Sequence, residues 1–496
     1  MLKNKGVMFN ITPFLSKKFW LMFVFLFNTR FLIFITCGME IFLKELKGKR
    51  VHFIGIGGIS MSALAQMLER EGVIVQGSDL AYNEETEKLE KQNIKVFHTQ
   101  QKENLIGVDI VVFSSAIHDD NEELSYAKHK NLMILKRAEL LGIIAKDYKT
   151  VIAIAGSHGK TTTSAMISEI FLTAGKKPTI HVGGVLSKIK SNYKLGGKKY
   201  FITEACEYMD NYLYLTPDLS VILNIDSDHL DYFGSLDGVK KSFAKFARKV
   251  KKGGLNVLSM DDVNSLDIID ENAATFGMNH KADIYASNIK EYKPCRFMFD
   301  VIFCGCNLGN IKLSILGKHN ISNALASILV SLACGIDFCD IKFALEHFSG
   351  VKRRSEIVSN KNNILVIHDY AHHPKQIEKM IDVAKMLARP VHGKIIVAFE
   401  PHTYSRTKFL LDDFAKSFYG TDYLFLAPVY SAREDESQGV GSDELALHTK
   451  KYVKKIECVS FYNDIKSKIK SIAKPHDVVL ILGAGSIEKL AEKFRK

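Results

Sequence analysis

A glycine-rich loop that follows an apolar run has the residue types of a nucleotide-phosphate cradle. The apolar run predicts a strand, and the segment beginning near Lys160 predicts a helix. Gly156 and Gly159 would let phosphate oxygens approach the unpaired backbone N–H groups of the helix start. Lys160 adds a positive charge, and the hydroxyl of Thr161 could bind a Mg²⁺ that bridges the phosphates. The loop departs from a standard P-loop, because Ile154 stands where its first glycine would be.

Acidic and imidazole side chains follow two later apolar runs, where further strands are predicted to end. Glu204 closes one run, and Asp228, His229 and Asp231 follow the other. Ligands of open α/β sheets bind outside the carboxyl ends of the strands, so we expect these groups to converge on the phosphate loop. Carboxylate oxygens suit a hard cation such as Mg²⁺. The pattern therefore indicates combined metal and phosphate chemistry.

A second glycine-rich turn opens the first predicted βαβ unit. Gly55, Gly57 and Ser60 occupy the three positions of the dinucleotide-binding fingerprint, with serine in place of the third glycine. Asp79 lies near the spacing at which an acidic group meets a ribose hydroxyl. Taken alone, this turn predicts only a site for a nucleotide or a nucleotide sugar. Small polar residues close the neighbouring strands of this unit, at Ser78, Ser114 and Ser115.

The last third of the chain carries a cluster of basic and aromatic residues at predicted strand ends. Arg353 and Arg354 precede a strand that ends in a Tyr-Ala-His-His-Pro segment, and Arg406 begins a later helix. The adjacent His372 and His373 suggest a zinc site, but neighbouring residues on one strand point to opposite faces. We therefore expect one histidine to orient a substrate or loop and the other to pack.

The elements that would position these residues indicate an α/β protein of several domains. A chain of 496 residues exceeds what one hydrophobic core usually supports, which predicts about three domains. Strands and helices alternate throughout, so parallel sheets are expected in all three. The predicted boundaries are 39–148, 149–349 and 350–496.

Residues 1–38 differ in kind from the rest. Two apolar bursts are interrupted by Arg30, so a clean membrane span would have to contain that charge. A membrane anchor, a signal segment and a spurious extension preceding a true start at Met39 all remain open. The last interpretation is favoured, and a chain beginning at Met39 is expected to remain active. Membrane association is expected only if the extension is real.

The charge distribution and the cysteines argue against a nucleic-acid-binding protein and against a disulfide-rich secreted one. Lys and Arg number 67 against 55 Asp and Glu, and the net charge of +12 is spread along the chain. A nucleic-acid binder would usually concentrate that charge, so we expect attraction for small anions and no nucleic-acid partner. The eight cysteines form no CxxC pair, which favours a reducing compartment and a cytoplasmic location. Cys304 and Cys306 are interpreted as small core hydrophobes rather than metal ligands.

Taken together, the motifs of the chain resemble those of the ATP-dependent Mur ligases of peptidoglycan synthesis. The resemblance runs from about Met39 to the C-terminus. The GIGG opening with a Ser-Asp pair after the second strand resembles the branch that accepts UDP-N-acetylmuramate. The motifs are GIGGISMS at 55–62, GSHGKTTT at 156–163, EACEY at 204–208, DHLD at 228–231, GKHN at 317–320, KRR at 352–354, DYAHHP at 369–374 and PHTYSRT at 401–407.

The resemblance implies a Rossmann-like domain for the UDP-sugar, a central P-loop-like ATPase domain and a Rossmann-like C-terminal domain for the amino acid. It implies ATP and Mg²⁺ as cofactors and UDP-N-acetylmuramate and L-alanine as substrates. The lactyl carboxylate would attack the γ-phosphate of ATP, and the amine of alanine would then attack the acyl phosphate. Closure of the third domain would protect that intermediate from water. We expect a monomer or weak homodimer.

The resemblance also implies roles for individual residues. The catalytic residues would be Lys160, His229, Arg354 and His373, and the metal ligands Thr161, Glu204 and His229. ATP would contact Gly156, Ser157, His158, Gly159, Lys160, Thr161, Thr162, His319, Asn320 and Arg353. The UDP-sugar would contact Gly55, Gly57, Gly58, Ser78, Asp79, Ser114 and Ser115. The amino acid or acceptor would contact Tyr370, His372 and Arg406.

Other readings remain open on the sequence alone. A ligase that attaches a murein tripeptide to the same UDP-sugar would share the opening turn and the ATP site. A nicotinamide oxidoreductase would explain residues 55–60 and Asp79, but it leaves the phosphate loop, Glu204 and His229 without a role. A membrane-anchored ATPase or a nonenzymatic wall-assembly scaffold depends on the apolar bursts of residues 1–38.

Overall fold

A computed structural model describes residues 41–269, 273–279, 281–431, 434 and 439–495. The predicted hydrophobic extension at 1–38 lies outside these residues. The described chain forms three β-sheets of five, ten and six strands, with helices between the strands. Within the described ranges, no helix is long and apolar enough to cross a bilayer.

The first sheet has the strand order β3-β2-β1-β4-β5, and all four pairings are parallel. Because the order reverses between β1 and β4, the carboxyl ends of these two strands border a crevice, which is where such sheets bind ligands. The strands are β1 Arg50–Ile54, β2 Ile74–Ser78, β3 Lys95–Phe97, β4 Ile110–Phe113 and β5 Met133–Lys136. The helices are Leu43–Leu46, Ile59–Arg70, Glu84–Lys91, Glu122–His129 and Arg137–Ala145, with a 3₁₀ turn at Lys102–Leu105.

The central sheet has the order β15-β14-β13-β12-β11-β10-β6-β9-β7-β8. Its strands are β6 Thr150–Ala155, β7 Thr179–Leu186, β8 Ser191–Lys194, β9 Tyr200–Glu204, β10 Leu219–Ile222, β11 Leu255–Ser259, β12 Ala273–Gly277, β13 Ile284–Lys293, β14 Arg296–Phe303 and β15 Cys306–Lys312. The helices are Lys160–Thr173, Leu230–Phe233, Leu236–Ala247, Asn320–Ala333 and Phe338–Glu346, with 3₁₀ turns at Tyr208–Tyr214 and Leu266–Ile268. All six residues of β6 are buried, as expected of a strand covered on both faces.

The third sheet has the order β16-β17-β21-β18-β19-β20. Its strands are β16 Glu356–Lys361, β17 Ile364–Asp369, β18 Ile395–Phe399, β19 Tyr423–Leu426, β20 Lys455–Cys458 and β21 Val478–Leu482. The helices are Pro374–Ala388, Tyr404–Phe409, Leu411–Ser417, Ser442–Thr449, Tyr462–Ile472 and Glu488–Arg495, with a 3₁₀ turn at Arg389–Val391. Strands β18 and β21 are fully buried and form its centre.

The chain divides into two compact units. The first holds the first sheet and most of the central sheet. The second consists of Lys290–Met298, Lys312–Asn320 and the chain from Ser349 onward, so it includes two short pieces of the region between β13 and the helix that begins at Asn320.

The expectation of parallel sheets in all three units is wrong for the second and third sheets, which are mixed. Strand β7 pairs with β8 and β16 pairs with β17 in antiparallel fashion. Asn362 and Asn363 both have positive φ, at 55° and 57°, in the two-residue turn between β16 and β17. Asparagine tolerates this conformation, and such turns match the twist of antiparallel strands. Two asparagines between apolar runs were therefore a hairpin signal.

The interpretation of Cys304 and Cys306 as core residues is also wrong. Cys304 and Gly305, with φ of 48° and 82°, form the two-residue turn that joins β14 to β15. Cys304 is half-buried and Cys306 is exposed. The Phe-Cys-Gly-Cys segment is thus a hairpin turn, in which glycine adopts the left-handed conformation without a steric penalty.

A buried histidine on β17 predicts a pH-dependent stability. His368 is fully buried, and neither ring nitrogen has a hydrogen-bond partner. Burial, together with Arg353 and Arg495, lowers the pKa of His368 from 6.5 to about 3. The unfolded chain takes up this proton below about pH 6.5 but the folded protein does not, so stability falls as the pH drops from there.

Replacing His368 with leucine is expected to remove this dependence. At about pH 5 the unfolded state gains about 2 kcal/mol from protonation of this one histidine, which the leucine variant would not experience. Thermal unfolding at about pH 5 and about pH 7.5 measures the effect against His448→Leu, which changes an exposed histidine. An equal loss of stability on acidification in wild type and His368→Leu would contradict the prediction.

Candidate active site

The predicted phosphate loop lies between β6 and the helix Lys160–Thr173. Gly156 and Gly159 have positive φ, at 136° and 88°, and Gly159 is the N-cap of the helix. A Cβ at Gly159 would lie 2.7 Å from Oδ1 of Asn323, so a larger residue would be both strained and crowded. The N–H groups in the first turn of a helix have no carbonyl partner within the helix, which is what an anion site requires.

The side chain of Lys160 folds back over the loop. Its Nζ donates to the carbonyl oxygen of Gly156 at 2.5 Å and to both carboxylate oxygens of Glu207 at 2.8 and 2.9 Å. Burial opposes the charge of Lys160, but Glu207 outweighs it and raises the lysine pKa. The ammonium group is therefore held charged at the loop, where it can meet a triphosphate.

The middle of the loop is braced by the segment after β10. His158 donates its N–H to Oδ1 of Asn224 at 2.9 Å, and Asn224 returns a bond to the His158 carbonyl at 3.0 Å. The Ser157 hydroxyl accepts from the N–H of Asp226 at 2.8 Å, and Asp226 also lies 3.3 Å from Nε2 of His158. Thr161 is buried and Thr162 half-buried in the first turn of the helix. These bonds fix the loop conformation independently of a ligand.

Three side chains beside Lys160 form a candidate cation site. Ligand atoms of Glu207, Asp228 and His229 all lie within 4.8 Å of one another. His229 has a positive φ of 54°, at the N-cap of Leu230–Phe233, and its ring lies 4.7 Å from that of Tyr208. Two carboxylates and an imidazole suit Mg²⁺ or Mn²⁺. The donor set therefore fits the divalent cation that the resemblance implies.

Glu204, predicted as a metal ligand, is not a member of this cluster. Its Oε1 accepts from the N–H of Gly183 at 2.6 Å and from the hydroxyl of Ser164 at 3.5 Å. Ser164 in turn donates to the carbonyl oxygen of Thr161 at 3.1 Å, so Glu204 lies beside the first helical turn. The Glu204 carboxylate adds to the effect of Glu207 in raising the pKa of Lys160, and its role as a metal ligand stays a prediction.

Sheet register explains why these groups meet. In the central sheet, Ile154 of β6 pairs with Glu204 of β9 on one side and with Val221 of β10 on the other. The carboxyl ends of the three strands are therefore level with the phosphate loop. Glu207 was not singled out by the sequence analysis, although it stands only three residues after Glu204 in the same motif.

The predicted UDP-sugar residues surround the carboxyl ends of β1, β2 and β4. Gly57 donates its N–H to Oδ2 of Asp79 at 2.9 Å, and a Cβ at Gly57 would lie 2.9 Å from that same oxygen. Gly55 has a φ of 80°, and Gly58 is the N-cap of Ile59–Arg70. Two of the three predicted serines form hydrogen bonds within the protein. Ser78 donates to Glu123 at 2.5 Å, and Ser114, which precedes Ser115, accepts from the N–H of Ala116 at 3.3 Å.

In the second unit, Arg353 is committed to its own surroundings. It pairs with Glu488 at 2.9 Å and donates to the carbonyl oxygen of Ala484 at 2.9 Å. The guanidinium groups of Arg353 and Arg354 lie 4.7 and 4.8 Å from the ring centre of Tyr370. The two arginines and the tyrosine thus form one cationic cluster beside β17.

The paired histidines do not lie on a strand as expected. Strand β17 ends at Asp369, whose carboxylate accepts the N–H of Ala371 at 2.8 Å and turns the chain. His372 then lies in a loop, where its Nδ1 is 2.8 Å from the carbonyl oxygen of Tyr370, and the buried His373 is the N-cap of Pro374–Ala388. The alternation argument therefore does not apply, since it assumes extended backbone. Arg406 lies in Tyr404–Phe409.

His319 and Asn320 follow a glycine turn in the second unit. Gly317 has a φ of 99°, and a Cβ there would lie 2.5 Å from the His319 ring. Burial, with a smaller effect of Lys379, lowers the pKa of His319 to about 4, so its imidazole is neutral. Asn320 donates to the carbonyl oxygen of Leu316 at 2.8 Å. A neutral, partly buried ring suits stacking on an adenine, which stays a prediction.

Family models match this chain along most of its length. The Mur ligase family catalytic domain matches residues 50–149, the Mur ligase middle domain 154–331, and the Mur ligase glutamate ligase domain 353–485. The chain belongs to the Mur ligase family.

Individual members of the family are similar to this chain over nearly its whole length. The chain is 44% identical to the UDP-N-acetylmuramate–L-alanine ligase of Caldanaerobacter subterraneus over 92% of its length and 99% of the relative. It is 43% identical to a Clostridium botulinum protein of the same name over 91% and 98%. The crystal structure of UDP-N-acetylmuramate-alanine ligase from Thermotoga maritima aligns with a TM-score of 0.76, at 29% identity, over 90% of this chain and 98% of that one. A murein peptide ligase from Psychrobacter arcticus, at 24% identity and a TM-score of 0.69, shares the fold.

Proposed function

We propose that the protein joins L-alanine to the lactyl carboxylate of UDP-N-acetylmuramate in an ATP-dependent reaction of peptidoglycan precursor synthesis. Relatives at 43–44% identity over more than nine-tenths of the chain carry this activity in their names. The observation that carries the proposal is the phosphate loop with Lys160 held over it, at the level where three strands end. The nicotinamide oxidoreductase alternative leaves this arrangement without a role.

The proposed reaction has two steps, a phosphoryl transfer and an acyl transfer. An oxygen of the lactyl carboxylate forms a bond to the γ-phosphorus as the bond to the ADP oxygen breaks. The amine of L-alanine then forms a bond to the acyl carbon, inorganic phosphate leaves, and the amine loses a proton. A carboxylate and a triphosphate repel one another, so positive groups must offset charge in the transition state.

In this proposal, Lys160 and the N–H groups of the phosphate loop bind the β- and γ-phosphates, and Arg354 is assigned to the charge that develops on the transferred phosphoryl group. A Mg²⁺ ion would neutralise phosphate charge, held by Thr161 with Glu204, or by the Glu207, Asp228 and His229 cluster. His319, Asn320 and Arg353 are assigned to ATP. His373 with Tyr370, His372 and Arg406 is assigned to the acceptor or the amino acid.

Further properties complete the proposal. The three domains keep the predicted boundaries 39–148, 149–349 and 350–496. The enzyme is cytoplasmic, acts as a monomer or weak homodimer, and binds no nucleic acid. Closure of the C-terminal domain over the ATPase domain protects the acyl phosphate from water.

Substrate-dependent phosphate release tests the proposal. Purified protein with ATP and Mg²⁺ is expected to release phosphate only when both UDP-N-acetylmuramate and L-alanine are present, and to form UDP-N-acetylmuramoyl-alanine. The matched comparison replaces L-alanine with the tripeptide L-alanyl-γ-D-glutamyl-meso-diaminopimelate, which is expected to give at most about one-hundredth of the rate. Higher turnover with the tripeptide would identify the recycling ligase instead.

A further inference from the structure

A cationic side chain that the predicted site does not use lies at the start of Arg137–Ala145. Arg137 donates one hydrogen bond from its side chain, from Nη1 to Oγ of Ser60 at 3.3 Å. Among the residues that the structure describes, no carboxylate is within ion-pair distance of its guanidinium. The side chain is partly buried, and burial lowers the pKa of Arg137, although arginine stays charged in proteins. A desolvated cation without a counter-ion is costly, which points to an anion that arrives with a ligand.

A chain of hydrogen bonds fixes the position of this guanidinium. The Ser60 hydroxyl is 3.0 Å from Nε2 of His181, and His181 Nδ1 is 3.1 Å from the hydroxyl of Thr203, which donates to the carbonyl oxygen of Glu204 at 3.2 Å. Burial lowers the pKa of His181 to about 3, so the ring is neutral and accepts at only one nitrogen. Ser60 therefore accepts from Arg137 and donates to His181.

This chain of hydrogen bonds explains why a serine is found at position 60, where the third glycine of the dinucleotide-binding fingerprint is expected. A glycine there would have no hydroxyl to join Arg137 to His181. Ser60 lies in the first turn of Ile59–Arg70, directly after the glycine-rich turn. The chain of hydrogen bonds therefore connects the predicted UDP-sugar loop to the end of β9. The network thus links the acceptor side and the ATP side of the same unit.

The guanidinium shares an electrostatic neighbour, Cys206, with the lysine of the phosphate loop. The thiol of Cys206 is within electrostatic range of Glu207, Lys160 and Arg137. The helix that begins at Arg137 is packed firmly against the segment after Glu207, because a Cβ at Gly142 would lie 2.5 Å from the carbonyl oxygen of Tyr214. Arg137 and the phosphate-loop lysine thus both lie within electrostatic range of the Cys206 thiol, and the helix that begins at Arg137 is held by backbone packing.

We propose that Arg137 binds the lactyl carboxylate of the UDP-sugar acceptor and presents it to the γ-phosphate. This inference rests on the proposed function. A guanidinium offers two parallel N–H groups that match a carboxylate, and a bound carboxylate would supply the counter-ion that Arg137 lacks. The terminal phosphate of ATP is the other possible anion. The carboxylate is favoured because Ser60, which holds Arg137, adjoins the UDP-sugar loop. The phosphates are already assigned to Lys160 and to the N–H groups of the phosphate loop.

Binding of three ligands to Arg137→Met separates these sources. By calorimetry, UDP-N-acetylmuramate is expected to bind about 10- to 100-fold more weakly than to wild type, the loss typical of one charge-assisted contact. UDP-N-acetylglucosamine, which lacks the lactyl group, and a non-hydrolysable ATP analogue are expected to bind within about twofold of wild type. The matched control is Arg70→Met, an exposed arginine of Ile59–Arg70, which should change none of the three affinities.

Two further variants keep the test decisive. Arg137→Lys retains the positive charge but not the planar guanidinium, so it is expected to lose part of the preference for UDP-N-acetylmuramate over UDP-N-acetylglucosamine. This variant replaces Arg137→Met in the test if Arg137→Met does not fold. Ser60→Ala removes the anchor and is expected to weaken UDP-N-acetylmuramate binding by a smaller factor in the same selective way.

The inference is overturned if the Arg137 variants weaken both UDP-sugars equally, because the residue would then act only on structure. It is equally overturned if only the ATP analogue binds more weakly, since the phosphate would then be the anion. Failure of the proposed function would look different, as wild-type protein would then form no amide product from UDP-N-acetylmuramate and L-alanine.

Discussion

Lys160→Met is expected to lower kcat by at least about 10³-fold, the largest effect of any single substitution proposed for this protein. The ammonium group donates to the carbonyl oxygen of Gly156 in the phosphate loop itself, and methionine keeps its length without its charge. Loss of charge at the transferring phosphoryl group removes stabilisation that is needed in the transition state. Phosphate release under saturating substrates measures the effect.

Stability must be separated from chemistry in this variant. Glu207 is 2% exposed and pairs with Lys160, so Lys160→Met leaves a buried carboxylate without its partner. The double variant Lys160→Met with Glu207→Gln removes that charge and is expected to regain thermal stability but not activity. Lys188→Met, at an exposed lysine in the turn between β7 and β8, is the matched control. Near wild-type turnover in a folded Lys160→Met protein would show that the phosphate loop is assigned wrongly.

His229→Ala is expected to produce the second largest loss, about 10²-fold at limiting Mg²⁺, with partial recovery as Mg²⁺ is raised. Its imidazole is the nitrogen donor of the cluster with Glu207 and Asp228, so its removal should weaken cation binding rather than substrate binding. The activity of the variant as a function of Mg²⁺ concentration measures this. His448→Ala, at an exposed histidine of the helix Ser442–Thr449, is the control.

Two conservative variants then distinguish the carboxylates. If the cluster holds the catalytic cation, Glu207→Gln shifts the Mg²⁺ dependence as His229→Ala does. If the predicted ligand Glu204 holds it, Glu204→Gln shifts the dependence more strongly. A loss of activity in His229→Ala that is the same at every Mg²⁺ concentration would contradict a role for this histidine in metal binding.

Much of the fold and the centre of the candidate site could be predicted from local patterns. Apolar runs that end in polar residues identified β6, β9 and three strands of the first sheet, β1, β2 and β4. The rule for parallel sheets placed Glu204 level with the phosphate loop. The register of Ile154 with Glu204 confirms that this placement follows from topology. Strand ends and glycine turns are short-range features, which a single sequence displays directly.

The residues that were missed depend on contacts between distant parts of the chain. Glu207 and Lys160 are 47 positions apart, and Ser60 and His181 are 121 apart. No local pattern indicates that a serine in a helix start will meet a histidine of β7. The hairpin of β16 and β17 did carry a local signal, in Asn362 and Asn363, but the alternation of strands and helices around it favoured a parallel arrangement.

Transfer of an oxygen isotope shows whether the terminal phosphoryl group of ATP passes to the carboxylate of the acceptor. UDP-N-acetylmuramate labelled with ¹⁸O in both lactyl carboxylate oxygens is incubated with ATP, Mg²⁺ and L-alanine, and the released phosphate is examined by mass spectrometry. We expect each phosphate to carry one ¹⁸O atom, because the bridging oxygen of the acyl phosphate leaves with it. Amide formation with unlabelled phosphate would show that no acyl phosphate forms.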